Sequence, residues 1–417
     1  PTLNHARLLS AQTLLGERFV TMRNYIILAS ATALAACGGA GPQSAGSVGA
    51  PSSGGSGSTG TFVNPTETKT YDAIGGAQHF AYKTRDDGQT QYGELYAGDA
   101  NTPRDGGITV SYNPRDAIFE VTVNRPLASV STGTNRFQDP AHRVDFGGLS
   151  QPQADVPQLP AAANIQYLQA GSSSGPVISG GDPNHYVVGN DTYTSQVQTF
   201  FYQKPGTTTQ YVTYAGYVRN ALGVVKQTDP VTKGTYLENS YSLDRAVFAY
   251  GERSDNSVVP KTGSGTYTGD MLATMVFNPL IDTDPLASTY FQWITGSQTT
   301  TVDFAKLSVS SAFTGTVSAA ALDAYTNGNY VLPGGTAFTA HGSATIDLVG
   351  KGGFTGTIGD AKFTTPGGKD YVVSIAGSSL DGAFFGPAAQ EIGGGFRIVG
   401  GTPDQRIDIL GAYTGKK

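Results

Sequence analysis

The residues that could do chemistry are few, and their spacing argues against a catalytic centre. Gly171-Ser172-Ser173-Ser174-Gly175 satisfies the Gly-x-Ser-x-Gly pattern of a serine nucleophile, which needs a sharp strand-to-helix turn to present its hydroxyl. Here it lies in a Ser/Gly run with no helical pattern behind it, so it reads as a loop. Asp381 and Glu391 are the nearest thing to a carboxylate pair. His79, His142, His185 and His341 show no ligand spacing, and one cysteine cannot complete a metal set with them. No phosphate-cradling Gly-x-x-x-x-Gly-Lys-Ser/Thr occurs. The chain is therefore expected not to be an enzyme and to hold no cofactor.

Two features remain. Cys37 is the single cysteine, and its flanks suit acylation rather than a disulfide. Tyrosines gather at Phe200-Phe201-Tyr202, Tyr211, Tyr214 and Tyr217. A tyrosine offers a rigid apolar ring with a polar tip, which suits a binding face, and its hydroxyl can ligate haem iron. The competing reading is that tyrosine favours strands and simply packs there. Tyr202, Tyr211, Tyr214 and Tyr217 are thus the candidate partner-binding residues.

The elements around Cys37 explain its position. Met22-Arg23-Asn24 precedes an apolar run from Tyr25 and the small-residue stretch 29–36. A basic start, a short apolar core and small residues before the cleavage point make an export signal, too short to span a bilayer. Leu34-Ala35-Ala36-Cys37 resembles the bacterial lipobox, which implies cleavage before Cys37 and lipidation of it. Residues 1–21 precede the first methionine that makes sense of the signal and read as an upstream translation artefact, which also sets aside His5. Removing residues 1–36 takes out Arg7, Arg18, Arg23 and Glu17 and moves the net charge from −6 to −8. Nucleic acid is an unfavourable partner for such a chain. Residues 37–61 are nearly all Gly, Ser, Ala and Pro and form a flexible tether, spanning roughly 26 Å root-mean-square.

With 56 glycines, 22 tyrosines and 19 phenylalanines, the remainder reads as all-β. Residues 62–258 carry strand-like runs of irregular spacing. Asp116–Val123 alternates best, with Ala117, Phe119, Val121 and Val123 on one face. Residues 259–417 are more regular. Thr262-Gly263-Ser264-Gly265-Thr266-Tyr267-Thr268-Gly269 opens this part, a Val302-Asp303-Phe304 run and Gly353-Phe354-Thr355-Gly356 follow, and Phe384-Phe385-Gly386-Pro387 with Gln390-Glu391 and a glycine cluster leads to the closing strand 406–413. The parity of apolar residues switches between Val302/Phe304 and Leu307/Val309, which predicts a bulge near Ala305-Lys306. Val317–Tyr325 reads as a short helix.

These motifs, in this order, resemble the transferrin-binding protein B-like β-barrel family of surface lipoproteins. The resemblance covers residues 262–417 well and 62–253 by position only, as the family's handle. It implies an irregular β handle followed by an eight-stranded antiparallel β-barrel, in one lobe where the best-known members have two. It further implies an outer membrane lipoprotein facing the cell exterior, delivered by a surface-lipoprotein translocator. The implied work is capture of an unknown protein or solute ligand, such as iron or haem, alongside a TonB-dependent receptor. The alternative is a structural or adhesive surface lipoprotein without a small ligand. Alternation spends the barrel's apolar residues inward, so its walls are expected to be polar and partner binding to fall chiefly on residues 62–253 and on the barrel's loops at the end facing away from the membrane.

Overall fold

The computed structural model describes residues 60–88, 107–123, 133–138, 156–174, 193–278, 290–320, 331–400 and 406–417. Cys37 and most of the tether lie outside these residues. Among the described residues no helix is long and apolar enough to cross a membrane.

Nine strands precede the barrel: β1 (Lys69–Asp72), β2 (Ile74–Arg85), β3 (Ile108–Asn113), β4 (Ile118–Val123), β5 (Thr134–Gln138), β6 (Ile165–Ser174), β7 (Tyr193–Gln203), β8 (Val212–Thr228) and β9 (Thr235–Gly251). They form a four-stranded sheet in the order β1-β3-β4-β5 and a five-stranded sheet in the order β2-β9-β8-β7-β6. Period-two alternation gives the small sheet one apolar face, and Val110, Phe119, Val121, Val123 and Phe137 bury it against Phe200, Tyr202, Tyr217 and Phe248 of the larger one. Phe119, Val121 and Val123 thus face the core as the pattern requires, while Ala117, also buried, belongs to the preceding turn at φ 51°. Gly171–Ser174 is the end of β6 and not a loop, which also removes the strand-to-helix elbow a serine nucleophile would need.

The second half is β10 (Ser264–Asn278), β11 (Tyr290–Asp303), β12 (Ser308–Val317), β13 (Ala337–Asp347), β14 (Gly353–Thr364), β15 (Asp370–Val372), β16 (Ile375–Phe385), β17 (Glu391–Gly400) and β18 (Arg406–Lys416). All neighbours are antiparallel. The last strand pairs with β10, and β14 pairs with both β13 and β16, so eight strands close on themselves and β15 is a short addition to β14. The interior is filled by side chains, among them Tyr267, Phe313, Phe338, Phe354, Phe384 and Phe396. Phenylalanines lie over cross-strand glycines: a Cβ on Gly411 would stand 2.1 Å from the Phe396 ring, and one on Gly382 2.2 Å from that of Phe354. Only glycine lets these rings lie flat on the neighbouring strand.

Three sequence expectations change here. Asp303 to Ser308 is a hairpin turn joining β11 to β12, with Lys306 N–H on Asp303 Oδ1 at 3.0 Å and Leu307 at φ 55°. The parity switch marks a change of strand and not a bulge. Val317 ends β12 in a strand, residues 318–320 have no regular structure, and the rest of the expected helix lies outside the described residues. The barrel wall is not polar throughout. Leu272, Val276, Phe291, Trp293, Ala383, Phe385, Leu410 and Ala412 point outward and are buried by the outer face of the five-stranded sheet, where Phe80, Phe201, Val212, Tyr214 and Val247 meet them. Phe201 meets Trp293 edge-on at 5.7 Å, and Phe80 meets Phe291 at 5.8 Å.

Candidate functional site

Among the described residues, two places at the ends of the five-stranded sheet combine polar chemistry with defined geometry. The first is the joint between handle and barrel. Glu391 opens β17, is 3% exposed, and receives the backbone N–H groups of Gln210 at 2.7 Å, Tyr211 at 2.7 Å and Val212 at 3.2 Å. Three convergent N–H groups make a concave anion site, filled here by the chain's own carboxylate. Burial pushes the Glu391 carboxyl above the usual range, against the opposing pull of those N–H groups and of Lys416. Residues 252–254 continue the link as a backbone ladder. Glu252 N–H donates to Tyr211 O at 2.7 Å, Gly386 N–H to Glu252 O at 2.9 Å and Ser254 N–H to Phe384 O at 2.9 Å. Beside Glu391 lies a cleft of ≈ 240 Å³ bordered by Thr207, Thr208, Gln210, Tyr211, Gln390 and Lys416. Further along the same interface, Arg397 holds the buried Asp408 through Nε at 3.2 Å and Nη2 at 2.9 Å, and Gln78 Nε2 donates to Asp408 O at 3.0 Å.

The second place is the far end of the β8–β9 hairpin, whose strands run 17 residues each. Their proximal halves are buried on both sides and their distal halves only partly, so the apolar signal in the sequence fades toward the tip. Asp229-Pro230 and Gly234 supply the turn. Asp229 Oδ1 accepts Val231 N–H at 2.8 Å and Thr232 N–H at 2.9 Å, while Arg85 reaches its other oxygen at 3.1 Å. These donors, the backbone ones foremost, bring the Asp229 carboxyl down to about 2. Arg85 also forks onto Asp87 at 2.8 and 2.7 Å and lies 3.7 Å from the Tyr236 ring centre. Asp86 Oδ1 accepts Leu237 N–H at 2.8 Å. The tip is therefore fastened to the end of β2, and at its apex Val231 is 86% exposed.

The tyrosines divide differently. Tyr202 is packed between Phe119 at 4.9 Å and Phe200 at 5.5 Å, and Tyr217 lies fully buried in the same core. Tyr214 is buried on the barrel side, where desolvation first and Asp270 second raise its hydroxyl above the ordinary value. None of these three can meet a partner or a haem iron without unfolding the sheet. Tyr211 alone is half-exposed, at the cleft. Among the described residues no three of His, Cys, Asp and Glu converge on a metal position. Glu391 was hidden in sequence because a lone Glu before an Ile-Gly run reads as a strand end. Val231 was hidden because a single exposed apolar residue in a turn carries no pattern.

Residues 259–417 match the model of the family described as the C-lobe and N-lobe beta barrels of Tf-binding protein B. No curated protein matches the chain in sequence. Among solved structures it is similar to a double mutant of transferrin-binding protein B from Haemophilus parasuis Hp5, at 13% identity over 85% of this chain and 78% of that one, with a TM-score of 0.28. It is similar also to intact Ap-TbpB with its N and C lobes, at 13% identity over 85% and 79% and a TM-score of 0.27. The isotype 1 protein from serogroup B Neisseria meningitidis follows at 10% identity over 85% and 79%, with a TM-score of 0.23. These superpositions are loose.

Proposed function

We propose, taking residues 259–417 as a barrel of the transferrin-binding protein B type, that the chain is a surface lipoprotein that captures a carrier of iron or haem, or the solute itself, and passes it to a TonB-dependent receptor. The match of the barrel to that family is the observation that carries this reading. In it, residues 22–36 are the export signal, Cys37 carries the lipid, residues 37–61 are the tether, 62–258 the handle and 259–417 the barrel. Buried side chains pack the barrel interior among the described residues, which favours recognition at the surface, and the fastened β8–β9 tip presents Val231 where an apolar anchor can enter a partner's pocket.

The test is binding of transferrin, haem and outer-membrane extract to the full chain, compared with Val231→Asp. The substitution should weaken capture about tenfold or more, near 1.4 kcal/mol. It should leave thermal stability unchanged, because the side chain packs on nothing. Capture that is indifferent to Val231→Asp would move recognition off the tip. No capture at all, with a cell-attachment defect on deletion, would replace uptake by adhesion.

Anchoring has its own test. Cys37→Ser should release the protein from membranes and abolish labelling by palmitate, since durable attachment takes two or more acyl chains and no apolar span among the described residues can substitute. Label retained by the Cys37→Ser chain would refute the assignment.

A further inference from the structure

One end of the barrel carries a surface of its own kind. Residues 254–263 before β10, the β11–β12 turn, the β13–β14 turn, residues 386–390 and the close of β18 all lie at the end beside the handle joint. Phe304 N–H donates to Gly263 O at 2.9 Å, Ile346 N–H to Leu307 O at 2.9 Å and Asn256 Nδ2 to Leu348 O at 2.6 Å, so the first three segments form one continuous surface. On it stand Val349, 100% exposed, Leu307 at 49% and Val258 at 40%. Leu307 also takes the left-handed φ of 55°, which glycine or asparagine adopts more readily. Neither burial nor backbone preference asks for a leucine there.

The charges at this end favour an anionic partner. Lys261, Lys306, Lys351, Lys416 and Lys417 are all exposed on these segments. The carboxylates among them turn back on their own turns: Asp255 Oδ1 accepts Ser257 N–H at 2.8 Å, Asp303 Oδ1 accepts Lys306 N–H at 3.0 Å, and Asp347 Oδ1 accepts Gly350 N–H at 2.7 Å. A lysine-rich end stands out on a chain whose net charge is −6. The tether joins at this end too. Phe62 packs on Tyr250 at 5.8 Å, beside the last residue of β9, and a Cβ on Gly206 would come within 3.2 Å of Val63. Gly206 borders the same cleft as Lys416 and Lys417.

We propose that this end of the barrel docks on an anionic lipid surface, the face of the membrane that holds the anchor. The lysine ammoniums reach head-group phosphates along their flexible stems, and Val349, Leu307 and Val258 enter the boundary between head groups and acyl chains. Each lysine near such a surface raises affinity roughly fivefold, so several together hold what one would not. The β8–β9 tip, a 17-residue strand or roughly 55 Å away, is thereby kept off the bilayer. That the surface is the anchoring membrane rests on the lipidation of Cys37 proposed above, whereas the attraction of this end to anionic lipid does not.

The experiment uses the chain from residue 37 onward with Cys37→Ser, so that no acyl group drives association, and sediments it with vesicles of phosphatidylcholine with or without phosphatidylglycerol. Binding should require phosphatidylglycerol and fall as salt rises from about 50 to about 500 mM. Lys306→Glu combined with Lys351→Glu should weaken it about tenfold or more, and Val349→Asp about fivefold, with thermal midpoints unchanged because all three side chains are exposed. Lys362→Glu combined with Lys369→Glu makes the same charge change at the opposite end and should have little effect. No binding to phosphatidylglycerol vesicles, or equal losses from the two pairs, overturns the proposal whether or not Cys37 carries lipid. Binding through this end, in a protein whose Cys37 takes no palmitate in cells, would uphold the docking and overturn the lipoprotein reading.

Discussion

Glu391→Ala should destabilise the full chain by about 3 kcal/mol, since it takes the acceptor from the part-buried N–H groups of Gln210 and Tyr211 and from the buried one of Val212. The measurement is chemical or thermal unfolding, read by the fluorescence of Trp293. This is the chain's single tryptophan, and it is 5% exposed at the handle–barrel contact, so its emission reports directly on docking. A red shift that precedes the main transition would mark handle separation before barrel unfolding. An unchanged midpoint would show that the three donors find acceptors without Glu391. The carboxyl also adds a pH dependence of defined sign. Its folded pKa is raised, chiefly by burial, so the stability it contributes is present below the ordinary carboxylate range and is lost as pH rises through the elevated value. Glu391→Gln stays neutral throughout and should lack that slope while costing less than the alanine.

Residues 259–417 expressed without the handle should keep the closed ladder but not the solubility of the whole chain. Sequence alternation alone suggests a barrel that stands by itself, since closure leaves no edge. The structure adds that Leu272, Val276, Phe291, Trp293, Phe385 and Leu410 would then face water, each forgoing roughly 1.5–3 kcal/mol of burial. The expected outcome is a β-type far-UV spectrum and a cooperative transition at low concentration. Red-shifted Trp293 emission, binding of an apolar dye and association on concentration should accompany it. A fragment that is soluble with Trp293 still shielded would mean this wall is covered from within the barrel. Absence of any cooperative transition would mean the barrel needs the handle to form.

Barrel strands that face the lumen on one side and water on the other were readable. Ala344 and Ile346 in β13 point inward between exposed Ser343, Thr345 and Asp347, as their alternation requires. β18 was legible as the closing strand, but the burial of its outer side and the faces of β10 were not, because both sides of each strand are buried. The run Met271-Leu272-Ala273-Thr274-Met275-Val276-Phe277 is apolar at both parities, which is how a strand sandwiched between lumen and handle must read. The site was less legible than the fold. Tyrosine identity says nothing of which face a ring occupies, and three of the four candidates lie on faces that only the packing of two sheets reveals. The role of Glu391 depends on a loop 180 positions away in the chain, and no local pattern encodes that.

The way β2 and β9 are paired decides how the handle bears load. β2 leaves the joint at Ile74 opposite Ala249 and reaches the hairpin end at Arg85 opposite Glu238, and β9 continues the route through β8 to Val231. A pull applied between the chain preceding β1 and a partner held at the tip therefore runs along the strands. Their cross-strand bonds are strained together in shear and must fail nearly at once, instead of opening one by one as in a peeled edge. Forced rupture is governed by the barrier to unfolding and not by equilibrium stability, so this handle should resist drag on a captured partner better than its thermal stability would suggest.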